Sequence, residues 1–189
     1  MVKALYDECE RLGILEDTVF VLAPDHFPYQ LTENDGVNQT ALSELYGIPT
    51  SDIYNNFDLY RAPLIIWSGS MEEPVKVDKV CSAIDILPTL LNLFGLEYDS
   101  RIIIGQDILD SNAEGFVPLN TLKTSYHWIT DYGYYNATTK KFTVADGYTV
   151  DASKLDSYIS AKNNQLSLLR KYSLYILNNN YYKTLFPNG

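Results

Sequence analysis

The sequence predicts an α/β fold with a mixed, mainly parallel sheet, a small antiparallel hairpin and a long C-terminal helix. Three observations carry that expectation. Residues 18–23 and 62–67 are apolar runs, β-branched or aromatic at several positions and without alternation, as suits strands covered on both faces. Helical patterns precede, separate and follow them, the alternation that layered α/β folds show. After them come aromatic and β-branched stretches at 125–135 and 141–144, and then a 3.6-period apolar stripe.

The elements follow in order. Val2, Leu5, Cys9 and Leu12 fall at helical spacing, and Gly13 supplies a stop. Glu16 and Asp17 turn the chain into Thr18-Val19-Phe20-Val21-Leu22-Ala23, an interior strand. Residues 32–60 form a polar excursion of the kind that often carries binding groups, with a short helix over 38–46 and a turn at 49–52 before another. Pro63 near the start of the second run is compatible with the first residues of a strand. Ser82 caps a strongly apolar helix running to Phe94, Pro88 sits in or near its first turn, and Gly95 ends it. The polar residues 136–140 join the two aromatic stretches as a hairpin loop, which accounts for the Asn136-Ala137-Thr138 sequon as well. From Asp151 on, Leu155, Tyr158, Ile159, Leu166, Leu169, Tyr172 and Ile176 trace one helical face, with Arg170 and Lys171 on its shoulder.

Bulk composition excludes several classes. With 46% apolar and 20% charged residues, the 189-residue chain has the means to bury a core and is not disordered. Its 24 acidic against 14 basic residues, net −10, argue against wrapping nucleic acid and against docking on anionic lipid. An anionic substrate would therefore need a local positive centre. Two cysteines, Cys9 and Cys81, make neither a disulfide framework nor a zinc cluster and read as small buried residues. No apolar stretch approaches the roughly 20 residues of a membrane span, and no basic-then-apolar leader opens the sequence, so the chain itself is expected to be soluble.

Asp25 and His26 stand where the first strand ends. Ligands collect beyond the carboxyl ends of strands in open α/β sheets, and a carboxylate beside an imidazole suits a divalent ion. Taken alone, the pair reads first as a turn-capping Asp beside a satisfied polar His, and only second as a metal site. The only other histidine, His127, lies between Tyr126 and Trp128 in the predicted hairpin, where a structural role is expected. Arg61, before the second strand, is an anion contact or a surface ion pair.

The ordered blocks TVFVLAPDHFPY, YRAPLIIWSGS, SAIDILPTLLNLFGL and IGQDIL resemble the C-terminal part of the sulfatase and alkaline phosphatase superfamily, in its lipoteichoic acid synthase or phosphoglycerol transferase branch. The resemblance spans roughly residues 5–142. It implies an alkaline-phosphatase-like sandwich around a mixed, mainly parallel sheet. It also implies esters of phosphate or sulfate broken through a covalent intermediate on Thr, Ser or modified Cys, with a divalent metal activating that nucleophile. Asp25 and His26 match two of the family's metal ligands, with manganese the first expectation and zinc, magnesium or calcium the alternatives. Tyr29 and Gln30, just beyond, line a glycerophosphate pocket or simply pack in the loop. Asp85 and Thr89 fall in the family's Ile-Asp-x-x-Pro-Thr block and are expected to be structural, Asp85 as a favourable charge at a helix N-terminus.

In that family the nucleophile and the remaining ligands precede the Asp-His block by a long stretch, for which residues 1–24 leave no room. The expected chain is thus the C-terminal portion of a larger enzyme, with residues 1–145 a partial catalytic domain and 146–189 a helical extension packed on it. On its own it would be inactive. Its expected partners are the rest of the catalytic domain and a phospholipid or glycerophosphate substrate. Its expected place is the extracellular face of a bacterial membrane, in a membrane-anchored parent. Two alternatives stand beside this: a sulfatase or phosphodiesterase of the same fold, and a non-catalytic interaction domain that binds a partner through its aromatic surface and long helix.

Overall fold

The computed structural model describes residues 1–25, 36–50, 61–120 and 126–187. The chain divides into two compact units, Met1–Val75 and Lys76–Gly189.

In the first unit, helix α1 covers Val2–Leu12 and ends where Gly13 takes the left-handed conformation at φ 71°. The Ile14 N–H then reaches back to the Cys9 carbonyl at 3.0 Å, so the last orphan carbonyls are used. Strand β1, Val19–Leu22, pairs with β2, Ile65–Ser68, with Phe20 opposite Trp67 and Leu22 opposite Ile65. The Trp67 ring sits 5.6 Å from Phe20 and 5.5 Å from Tyr6, which ties α1 to the strands. Helix α2, Gly36–Tyr46, includes the predicted segment; its Leu42 is buried against Ile48. The further helix expected after residue 52 lies outside the described residues.

Two expectations change here. Leu22 and Ile65 remain exposed, so the described residues do not cover both faces of these strands. The strands also run antiparallel, as do all the pairs among the described residues, rather than mainly parallel. An unalternating apolar run encodes burial and carries no information about strand direction, which the intervening connection decides.

The second unit begins with a polar clamp. Ser82 caps a 3-10 turn, Ala83–Asp85, that runs into helix α3, Ile86–Leu93. One oxygen of the buried Asp85 carboxylate accepts the Ser82 N–H at 2.8 Å, and the other accepts the Gln106 N–H at 2.9 Å. The Thr89 hydroxyl donates to the Asp85 carbonyl at 2.6 Å and accepts the Ile108 N–H at 3.1 Å. Asp85 and Thr89 thereby hold residues 105–108 against the start of α3, a larger task than the helix-terminus charge foreseen for Asp85. Gly105 is obligatory at this crossing, because a Cβ there would lie 1.9 Å from the Ile84 carbonyl oxygen. Asp131 repeats the device, accepting the Val80 and Gly115 N–H groups, each at 2.7 Å.

The predicted hairpin is a four-stranded meander, β3 Phe116–Asn120, β4 Tyr126–Thr130, β5 Gly133–Asn136 and β6 Lys141–Val144, in that spatial order. A tight turn at 131–132 divides the stretch read as a single strand. Strand β3 went unforeseen because Pro118 interrupts its apolar run; a proline is acceptable here since β3 is an edge strand. The 136–140 loop is as expected, with the Asn136 side-chain oxygen accepting the Thr138 and Thr139 N–H groups.

Helix α4, Ala152–Asn178, starts on Asp151, whose carboxylate accepts the Ser153 N–H at 2.9 Å. It lays Leu155, Tyr158, Ile159, Leu166 and Leu169 on the sheet face formed by Phe116, Trp128, Tyr135 and Phe142. Trp128 is fully buried, stacks on Tyr135 at 5.1 Å and donates its indole N–H to Asn163 at 3.0 Å. Tyr172, expected on the same buried stripe, is instead exposed. A short helix α5, Tyr181–Leu185, follows a left-handed turn at Asn180.

His127 is structural, as alternation in β4 suggested. It points to the sheet face opposite Trp128, is buried, and accepts the Ala137 N–H on Nδ1 at 3.1 Å while stacking on Tyr134. Among the described residues no helix is long and apolar enough to cross a membrane.

Two consequences can be measured. Gly105→Ala should destabilise the protein by about 3 kcal/mol, because the backbone of Ile84 must move or α3 must detach; an unchanged thermal midpoint would contradict the close approach. Burial holds the His127 pKa below its ordinary value. The neutral ring's contribution is therefore complete above the unfolded-state value of about 6.5 and is lost as pH falls through the lower folded value. Urea midpoints from about pH 7.5 to 5 should fall less steeply for His127→Gln than for the native chain.

Candidate functional site

Strand β1 delivers Asp25 to the surface. Phe20 and its partner Trp67 anchor the strand in the first unit, and the chain leaves the sheet after Leu22, so Asp25 emerges exposed three residues beyond. Pro24 cannot donate to a ladder and sits at the point where pairing stops.

Antiparallel pairing decides what stands at that end of the sheet. Since Leu22 faces Ile65, the residues leading into β2 lie at the same end as those leaving β1. Arg61, Ala62 and Pro63 are in that position, and with Tyr46 from the end of α2 they line an open depression. Thus an exposed carboxylate and a guanidinium belong to the same end of one strand pair. Arg61 is an exposed residue at that end of the strand pair. Tyr46 was not singled out from the sequence, because it is one of 16 tyrosines and nothing local distinguishes it.

His26, Tyr29 and Gln30, named from the sequence, lie outside the described residues. Among the described residues no group of three or more His, Cys, Asp or Glu side chains is arranged to hold a metal ion. The Asp25-His26 donor set fits a borderline divalent ion in kind, one carboxylate oxygen and one imidazole nitrogen, and amounts to part of a coordination sphere.

The second unit carries a polar network that sequence reading passed over. Lys162 forms an ion pair with Glu114 at 2.7 Å, and the Tyr158 hydroxyl donates to the other Glu114 oxygen at 2.5 Å and bonds the Thr130 hydroxyl at 2.8 Å. The Lys162 ammonium also lies 5.5 Å from the centre of the Phe116 ring. Burial and the Glu114 bond raise the Tyr158 pKa far above that of a free phenol, so it remains a donor. The signal was available: Lys162 falls between Tyr158 and Leu166 on the apolar stripe of α4, where a lysine needs a partner. Each group found a partner, and the network fastens α4 to the segment entering β3. Cys9 and Cys81 are free thiols, the first buried and the second half-buried; burial and the nearby Asp85 and Asp131 raise the Cys81 pKa, so it is no activated nucleophile.

Comparison with known proteins agrees with this arrangement of blocks. Lipoteichoic acid synthase 2 of Bacillus subtilis (strain 168) is 26% identical over 117 residues, which is 62% of this chain and 17% of that protein. The lipoteichoic acid synthase-like YvgJ of the same organism is 28% identical over 120 residues, 62% of this chain and 18% of that protein. The matched segment therefore represents less than a fifth of either relative. The sulfatase family model matches residues 1–96, which contain α1, β1, Asp25, the depression beside Arg61 and the Asp85–Thr89 clamp, and the chain belongs to the sulfatase family.

Proposed function

We propose that this chain is the C-terminal portion of a metal-dependent phosphoglycerol transferase of the lipoteichoic acid synthase type, contributing two metal ligands and not the nucleophile. The observation that carries the reading is the Asp25-His26 pair at the exit of β1 within the family-matched segment. The names of both relatives favour a transferase over a sulfatase or phosphodiesterase of the same family. The rest of the catalytic domain, in the longer protein, supplies the nucleophile and the remaining ligands. The parent is membrane-anchored and works on the outer face of a bacterial membrane, on a phospholipid or polyol phosphate.

The fold reading goes with it. In this proposal β1 and β2 belong to a larger mixed sheet of the alkaline-phosphatase-like kind. Support comes from the exposed Leu22 and Ile65, and from the marginal stability of a two-stranded sheet standing alone. Residues 146–189 are then an extension of the catalytic domain.

The chain's own groups have defined tasks. Asp25 offers an oxygen and His26 a ring nitrogen to one ion, manganese first, with zinc, magnesium and calcium as alternatives. A bound divalent ion supplies Lewis acidity and lowers the pKa of a hydroxyl nucleophile. His26 can ligate only as the neutral imidazole, so affinity for the ion falls in acid. Tyr29 and Gln30, next in sequence, are the substrate-binding residues of this proposal. Arg61 orients the phosphate from the β2 side.

Calorimetric titration of manganese into the full-length parent tests the assignment. Asp25→Ala and His26→Ala should each weaken binding by more than about tenfold, the loss that follows even when an outer partner of a ligand is removed. Phosphoglycerol transfer should fall in parallel. Unchanged manganese affinity in both variants would sink the metal reading.

A further inference from the structure

The net charge of −10 conceals a separation along the chain. All 24 acidic residues stand at or before Asp156, while Lys162, Arg170, Lys171 and Lys183 follow it. Residues 157–189 are thus purely cationic within a strongly acidic protein. Lys162 is spent on Glu114, and the Arg170 guanidinium lies 4.1 Å from the Tyr126 ring centre; Lys171 and Lys183 are exposed.

The same segment exposes a second apolar face. Leu168, Tyr172 and Tyr175, at i, i+4 and i+7 of α4, are 43%, 60% and 57% exposed, where the helix reaches the end of its sheet contacts at Leu166 and Leu169. Tyr182 and Phe186, at 44% and 56%, continue the aromatic surface in and just after α5. Lys171 is adjacent in sequence to Tyr172, and Lys183 to Tyr182. The C-terminal end of α4 therefore exposes apolar side chains that the sheet does not cover, Leu174 and Leu177 among them.

We infer that the C-terminal half of α4 together with α5 docks on the interface of an anionic phospholipid bilayer. Exposed tyrosine and leucine with lysine beside them, in a segment whose own sequence has no acidic residue after Asp156, is the composition of a helix that lies in the head-group layer. Tyrosine suits that layer because its ring is apolar and its hydroxyl stays wet. The charge complementarity selects anionic lipid over another acidic surface of the same protein family, since it is coupled to an aromatic face. The overall net charge, which argues against such docking, is an average that residues 157–189 do not share. The inference stands independently of the metal site.

Flotation of the 189-residue chain with phosphatidylcholine vesicles, with and without phosphatidylglycerol, decides it. The chain should float with the phosphatidylglycerol vesicles at low salt and be released at high salt. Tyr172→Ser/Tyr175→Ser and Lys171→Glu/Lys183→Glu should each reduce partitioning more than about tenfold, with unchanged circular dichroism because all four side chains are exposed. Absence of partitioning, or partitioning that neither double variant alters, would overturn the inference. So would a concentration-dependent dimer that Tyr172→Ser/Tyr175→Ser abolishes and that ignores vesicles, since the face would then belong to a second copy.

Discussion

The second unit depends on a buried carboxylate. Asp85 is 1% exposed, and such a group is tolerated in an apolar setting only if its oxygens are occupied. Two backbone N–H groups, from Ser82 and Gln106, occupy them, and Thr89 adds a donor and an acceptor one helical turn on. Hydrogen bonds to a charged group contribute about 1.5–3 kcal/mol each, and their loss would also strand buried amides. Segments about twenty residues apart in sequence are thereby fixed together by hydrogen bonds.

That clamp explains why two sequence blocks occur together. Ile-Asp-x-x-Pro-Thr at 84–89 and Ile-Gly-Gln-Asp-Ile-Leu at 104–109 form the two halves of one contact, the first providing side-chain acceptors and the second backbone donors and a glycine. Asp131 and Gly115 apply the same chemistry at the start of the meander. From there α4 closes the aromatic core around Trp128, whose ring contacts add about 0.5–1.5 kcal/mol per pair beyond burial. Lys162 and Glu114 complete the seam. This ion pair is only partly buried, and removing one partner would leave the other charge unpaired.

The proposed chemistry belongs to the first unit and uses a different physical device. There the backbone exposes groups rather than burying them: β1 ends after Leu22, and Asp25 projects where the residues leading to β2 bring Arg61 and Pro63 to the same end. The family relationship and this placement support the proposal together, and neither depends on the C-terminal helix.

Much of the chain was legible before its structure. Local rules placed α1 and its Gly13 stop, the β1 and β2 runs, the Ser82 cap, the 136–140 turn and the Asp151-led helix, since each rests on neighbours within a few residues. The block order revealed the family. Strand direction, the first strand of the meander and the turn that divides 125–135, the Gln106 and Ile108 partners of Asp85 and Thr89, and the exposure of Tyr172 were decided only by tertiary packing. Each depends on residues distant in sequence: an apolar run is silent on which edge it meets, and a helical stripe cannot say where its sheet ends. Charge segregation lies between the two, written in the order of the residues but given meaning by the exposed face beside Lys171.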